Sequence, residues 1–273
     1  MIASGRALIT GASAGLGAEF ARQLAARGLD LVLVARRGDR LASLAEELRH
    51  AHGVQVQTIT ADLSDPAAPA QIEQTLAGTA ASAAPLHWLI NNAGSGGADL
   101  LRHRNWVDHR DFLQLMMLSV AELCHRLLPG MAERGYGRVI NVASVAGRIA
   151  LPSGANYGPS KAYLIALSEE LAQSFGGTDV NVTALCPGFV HTEFHETPEL
   201  AAAKAGTPRW IWYRAERVVR DGLRGCERGA PIVVSGPLYR WLDLLLLHGW
   251  TRPLVRRLTR SDGLNWRAGD GER

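Results

Sequence analysis

The chain is predicted to be an α/β protein built on one doubly wound parallel sheet of about seven strands, with helices on both faces. Three observations predict it. Short apolar runs alternate with amphipathic helical stretches from residue 6 to residue 235, the rhythm of repeated strand–helix–strand units. Several strand runs are unbroken apolar segments, as expected when helices cover both sheet faces. At 273 residues, 47% hydrophobic and 20% charged, the chain is long enough to bury one large core.

Taken in order, the first apolar run is 6–10 (RALIT), followed by a glycine-bearing turn and a helical pattern near 15–28. The second strand is 31–35 (LVLVA), with a helix at 39–52; the third is 54–59 (VQVQTI), with a helix at 67–80. Residues 78–85 (GTAASAAP) read as a loop inside one domain, because the alternation resumes at once. Then come strand 86–91, a long helix over 106–133, strand 137–142, helix 157–175, strand 179–185, helix 214–228 and strand 231–235. Crossovers between parallel strands are expected to be right-handed. Two regions break the rhythm: an irregular insertion over 186–213, and a Leu/Arg-rich tail over 237–273 whose last residues, 261–273, are expected to fray. The whole chain, 1–273, is read as a single domain.

Composition excludes several classes. The chain is neither disordered, collagen-like nor a disulfide-stapled miniprotein. A net charge of +3, spread along the chain, is no footprint for nucleic acid. Cys124, Cys186 and Cys226 are isolated, which argues against a metal site and for a reducing compartment. Met1 leads straight into a strand-like segment with no signal-peptide pattern, so a cytoplasmic location is expected. No run of 18 apolar residues is present to cross a membrane as a helix. Of 29 basic residues only Lys161 and Lys204 are lysine. A general codon bias toward Arg explains the usage best; the alternative is that a retained lysine stands where arginine cannot replace it, which Lys161 fits and Lys204 does not.

The first strand ends in Thr10-Gly11-Ala12-Ser13-Ala14-Gly15-Leu16-Gly17 and enters a helix. Glycines there let the backbone turn tightly and approach a pyrophosphate, toward which the new helix points its free N–H groups. The segment Gly11, Ser13, Ala14, Gly15, Leu16 and Gly17 is therefore a dinucleotide-binding candidate. After the second strand stand Arg36 and Arg37, where a carboxylate would favour NAD. Cations in its place suit the 2′-phosphate of NADP, with Arg36 the first choice and Arg37 the second; NAD(H) stays open.

These features, with others in order, resemble the single-domain branch of the short-chain dehydrogenase/reductase family, a Rossmann-type fold. The TGxxxGxG spacing of residues 10–17 is that branch's form. Asp62, with Leu63 beside it, resembles the residues at the adenine. Asn91-Asn92-Ala93-Gly94 matches the NNAG motif and contributes Asn92, Ala93 and Gly94 to the cofactor site. Ser144 in NVAS and Tyr157-Gly158-Pro159-Ser160-Lys161 match the Ser and YxxxK motifs. Cys186-Pro187-Gly188-Phe189-Val190-His191-Thr192 resembles the PG…T segment over the nicotinamide, contributing Pro187, Gly188, Val190 and Thr192. The resemblance spans about residues 5–235. It implies NADP(H)-dependent interconversion of a carbonyl compound and a secondary alcohol, with Ser144, Tyr157 and Lys161 catalytic and Tyr157 and Lys161 also touching the cofactor. A homodimer or homotetramer is implied by analogy.

Tyr157 and Lys161 share a helix face. An adjacent ammonium is expected to draw the phenol down from its ordinary pKa near 10 toward the working range of a general acid/base. Ser144 can hold a substrate oxygen by a hydrogen bond. The usual asparagine of the long helix is missing: counting back from Ser144 places Met116 there, and a thioether is only a weak acceptor. Ser119, one turn on, either replaces part of that relay or bonds the preceding turn's carbonyl.

Residues 189–213 form a candidate substrate lid. Trp210, Trp212 and Tyr213 either line a pocket for a bulky apolar compound or dock the next helix. His191 and His195 read as loop residues. In the tail, Trp241, Leu242, Leu244 to Leu247 and Trp250 precede Arg252, Arg256, Arg257 and Arg260. That segment packs on its own core or a neighbouring subunit, or lies on a membrane surface. The rival to catalysis is a nucleotide-binding protein of the same fold with weak or lost turnover that acts by interaction.

Overall fold

The computed structural model describes residues 5–78, 84–97, 99–101, 103–149, 156–193 and 208–246, without the side chains of 209, 245 and 246. Seven strands form one parallel sheet in the order β3-β2-β1-β4-β5-β6-β7. They are β1 (Arg6–Thr10), β2 (Asp30–Ala35), β3 (Val56–Thr60), β4 (Leu86–Asn91), β5 (Gly137–Val142), β6 (Val180–Cys186) and β7 (Ile232–Val234). The helices are α1 (Gly15–Ala25), α2 (Gly38–His52), α3 (Ala68–Gly78), α4 (Trp106–Leu113), α5 (Ser119–Glu133), α6 (Tyr157–Ser174), α7 (Ala215–Glu227) and α8 (Pro237–Leu246). The doubly wound sheet expected from the alternation is the sheet observed.

Apolar residues on successive positions of β1 and β2 go alternately to the two faces. On one face Ala7, Ile9, Leu31 and Leu33 pack with Phe20 and Leu24 of α1, Leu41 and Leu48 of α2, and Val219 and Leu223 of α7. On the other, Leu8, Val32 and Val34 pack with Ile72 of α3, Leu123, Leu127 and Met131 of α5, and Leu164 of α6. Each such side chain contributes about 1.5–3 kcal/mol by leaving water. The sheet is thus fixed from both sides, which explains the unbroken apolar runs of β1 and β2, while the edge strand β3 exposes Thr58 and Thr60.

The long helix expected over 106–133 is interrupted. Asn105 caps α4 by accepting from the Val107 N–H at 3.2 Å, and a π-helical turn, Gln114–Leu118, joins α4 to α5. Such a turn inserts one extra residue per repeat and re-aims the side chains beyond it. It also buries Met116, which is 1% exposed.

Strand order reverses between β1 and its neighbours β2 and β4. Chains leave β1 and β4 toward opposite faces there, opening a crevice at the strands' C-terminal ends. A cleft of about 1390 Å³ lies along it. No helix among the described residues is long and apolar enough to cross a membrane. Most of the expected lid (194–207, with His195 and Lys204) and the tail beyond 246 lie outside the described residues.

Candidate active site

The floor of the cleft begins at the glycine turn. Gly11 has φ 65°, in the left-handed region, where a side chain would be strained and would also meet the Ala93 backbone at 2.8 Å. A Cβ on Gly17 would stand 2.2 Å from the Gly11 carbonyl oxygen. α1 therefore starts hard against the turn. Its N-cap, Ala14, offers no side-chain acceptor, and its first turn carries no acid. The amides of that turn are left for an anion, as a dinucleotide pyrophosphate requires.

Thr10 and Asn92 lock this turn to the end of β4. The Thr10 hydroxyl accepts from the Asn92 and Ala93 N–H groups, both at 3.0 Å. The Asn92 amide donates to the Thr10 and Gly11 carbonyls at 3.0 and 3.3 Å. Asn92, read from sequence as a cofactor residue, thus spends its side chain on the loop itself.

Charged groups gather at the β2 end. Arg36 reaches Asp62 at 3.7 Å and is 72% exposed. Burial would raise the Asp62 pKa, but hydrogen bonds from the Ser64 N–H and hydroxyl, with Arg36 beside them, outweigh it and hold the carboxyl below its usual range. Arg37 is better fixed: it donates to Ser13 Oγ from Nε (3.2 Å) and Nη2 (3.1 Å) and pairs with Glu193 at 3.1 Å. Ser13 belongs to the glycine turn, so Arg37 is tied to that turn, and both Arg36 and Arg37 line the cleft.

At the other end, Ser144 follows β5 and Tyr157 opens α6. The Ser144 hydroxyl accepts from the Ala146 N–H at 3.1 Å, capping a short 3-10 turn. It also hydrogen-bonds the Tyr157 phenol. A Cβ on Gly147 would lie 2.6 Å from the backbone of Lys161 and Ala162, so the turn and α6 touch and the Ser–Tyr geometry is rigid. The Lys161 ammonium donates to the Val142 carbonyl at 2.7 Å and lies 5.7 Å from the Tyr157 ring centre.

Burial dominates both titrating groups. It pushes the Tyr157 phenol up to about 12, against a lowering by the Ser144 hydrogen bond. It brings the Lys161 ammonium down to about 8. The sequence expectation of a phenol lowered by its lysine is therefore corrected for the polypeptide alone. Desolvation leads, the lowering it meets comes from Ser144, and the Lys161 ammonium stays 5.7 Å from the ring centre, turned to the Val142 carbonyl.

Met116 stands where the missing asparagine was expected. A side chain on Gly94 would meet Met116 Sδ at 3.2 Å and Lys161 Nζ at 3.8 Å, and the sulfur accepts from the Ser95 N–H at 3.4 Å. Ser119 donates instead to the Leu115 carbonyl at 2.8 Å, the backbone alternative rather than a relay. Beneath the site, Asn91 donates to Asn141 at 2.8 Å, and Asn141 to Ser168 at 2.9 Å. This buried chain ties β4 to β5 and α6.

Leu63, Pro187, Gly188, Val190 and Thr192 line the same cleft as Gly15, Asp62, Ala93 and Tyr157. Trp210, Trp212 and Tyr213 do not line it. Trp212 packs on Phe189 and His191, with ring centres 5.1 and 5.2 Å away. Tyr213 joins Val190 in a bridge, and Trp210 is 70% exposed. Leu115, Ile149 and Phe189 are among the apolar residues that do line it. Sequence reasoning missed Arg148, which reaches from the Ser144 turn to a largely buried ion pair with Asp243 of α8. It also missed Glu193. Among the described residues no group of His, Cys, Asp or Glu could hold a metal.

Comparison with known proteins places this arrangement. The short chain dehydrogenase family model matches residues 6–201. A very-long-chain 3-oxoacyl-CoA reductase of Mycosarcoma maydis is 33% identical over 254 residues, 89% of this chain and 70% of that protein. Among solved structures, a short-chain dehydrogenase from Sphingobium yanoikuyae in complex with NADPH is 30% identical, with a TM-score of 0.76 over 98% of this chain and 100% of that one. A bulky-bulky ketone specific alcohol dehydrogenase from Comamonas testosteroni is 27% identical, with a TM-score of 0.74 over 96% and 98%. With the family model covering most of the sheet and the whole cleft floor, the chain belongs to the short-chain dehydrogenase family of NAD(P)-dependent oxidoreductases.

Proposed function

We propose that this protein is an NADP(H)-dependent oxidoreductase that interconverts a bulky, apolar carbonyl compound and its secondary alcohol, with Tyr157 as general acid/base. One domain carries both the dinucleotide and the substrate site. The single observation that carries the reading is the Ser144–Tyr157–Lys161 group, its lysine buried and its serine and tyrosine lining the cleft, at one end of a groove whose other end is an uncapped helix N-terminus beside Arg37. The polypeptide fits a dinucleotide: Gly11, Gly15 and Gly17 let the turn pack closely at the start of α1, whose uncapped amides would hold the pyrophosphate, Arg37 and Ser13 would hold the adenosine ribose, and Lys161 the second ribose. A bound nicotinamide supplies the hydride for a carbonyl carbon, or takes one from an alcohol.

Ser144 holds the carbonyl oxygen by a hydrogen bond and orients its carbon. Tyr157 gives its proton to that oxygen in reduction and receives it in oxidation. A phenol held near 12 by burial stays protonated at neutral pH, so these residues are set as a proton donor. Lys161, kept cationic below about 8, supplies positive charge to the side of the phenol.

The apolar substrate class rests on Leu115, Ile149 and Phe189 in the lining and on the activities named for the relatives from Mycosarcoma maydis and Comamonas testosteroni. Consumption of NADPH, followed by absorbance over a panel of bulky ketones and 3-oxoacyl thioesters, tests the reading. Tyr157→Phe is expected to lower turnover at least ~100-fold. Met116 favours a second reading, a dinucleotide-binding protein with lost turnover. NADPH binding without turnover on any substrate, and no effect of Tyr157→Phe, would establish that one instead.

A further inference from the structure

Glu193 lies 156 residues beyond Arg37, yet its carboxylate sits between two arginines of the β2–α2 corner. One oxygen is 3.1 Å from Arg37 Nη1, and both are 2.8 Å from Arg40 Nη1. The segment that delivers it crosses the glycine turn, because a Cβ on Gly15 would meet Thr192 at 3.2 Å. Ser13, Arg36, Arg37 and Glu193 all line the cleft. The arginines hold the Glu193 carboxyl below its usual range.

We propose that Glu193 sets the choice between phosphorylated and unphosphorylated dinucleotide by occupying, with its own carboxylate, the cations a ribose 2′-phosphate would use. The inference rests on the reading of this corner as the adenosine-ribose site. A cofactor bearing a free 2′-hydroxyl leaves the Glu193 pairs intact. A 2′-phosphate must either displace the carboxylate from Arg37 or stand beside it and be repelled. Only the phosphorylated form meets that cost. Arg37, Arg40 and Glu193 are 43%, 45% and 50% exposed, so the existing pairs are weak and exchangeable. A phosphate dianion forms stronger charge-assisted bonds to the same guanidinium. The carboxylate therefore trims the NADPH preference without abolishing it.

The test is calorimetric titration of wild type and Glu193→Gln with NADPH, NADH, 2′,5′-ADP and 5′-ADP at low salt. Glu193→Gln is expected to tighten NADPH and 2′,5′-ADP about three- to tenfold, raising the ratio of NADH to NADPH dissociation constants. The gain should shrink toward 1 M salt, where the screening length falls to about 3 Å. Uniform weakening of all four ligands would make Glu193 a clasp over the groove and overturn the proposal, as would unchanged constants. Arg37→Ala separates the two levels. If it leaves the NADPH-to-NADH ratio unmoved, the reading of the corner itself fails. If it weakens NADPH selectively while Glu193→Gln does nothing, only the role of Glu193 fails.

Discussion

Arg37, Arg40 and Glu193 meet at one end of the cleft, each close to half exposed; Lys161, at the other end, is 5% exposed and gives its ammonium to the Val142 carbonyl. Water screens the first group, so each pair there is worth roughly 0–1 kcal/mol and yields to a competing ion. Burial acts on the second group by changing what it is: a lysine near 8 and a tyrosine near 12. One end of the cleft can be retuned by small electrostatic steps. The other turns on the desolvated Lys161 ammonium.

The largest expected effect falls at the buried end. Lys161→Arg keeps the charge but not the compact head, and a planar guanidinium does not fit the space between Gly94, Met116 and the Val142 carbonyl. Turnover measured with saturating NADPH should fall about 100-fold. Wild-type activity should also decline as pH rises through about 8, where the ammonium loses its proton. The arginine variant should lack that decline. Turnover within tenfold of wild type would break the contrast between the ends.

A smaller effect is expected at the exposed end. Arg37→Ala should raise the KM for NADPH about tenfold while leaving kcat nearly unchanged, since one charge-assisted anchor is worth about 1.5 kcal/mol. Initial rates at two ionic strengths would show the loss shrinking with salt. A fall in kcat instead would mean that the exposed end also positions the chemistry. The smallest effect is expected at Ser119. Its hydroxyl already bonds the Leu115 carbonyl, so Ser119→Ala should leave the pH–rate profile in place. A displaced profile would restore Ser119 to the proton path.

The same contrast governs what could be read in advance. β1, β2, β4 and β5 stand within a residue of their apolar runs, because strand burial is written into local sequence. The Tyr157–Lys161 helix face and the place of Met116 follow from spacing alone. The phenol's rise does not: it depends on desolvation, which only tertiary packing sets. The π-helical turn at Gln114–Leu118 left no mark in an otherwise helical pattern. Arg148–Asp243 and Glu193–Arg40 join residues 95 and 153 positions apart, and in an arginine-rich chain no single carboxylate advertises its partner. Asn92 was visible as a motif residue, but its spending on the Thr10 and Gly11 carbonyls was not.

Tyr239 and Asp243 belong to α8, the last described helix, yet both build the cleft. The Tyr239 hydroxyl accepts from the Phe189 N–H at 3.1 Å and donates to the Ile211 carbonyl at 3.0 Å, and Asp243 holds Arg148 on the cleft wall. Followed from the ribosome outward, the glycine turn and its β2 partner emerge first, α6 midway, and the clamps on Phe189 and Arg148 near the end. The cleft draws its lining from residues 11 to 193, and the residues that fix Phe189 and Arg148 follow still later. Because a single sheet folds as a unit, the cleft is finished only once α8 has joined it.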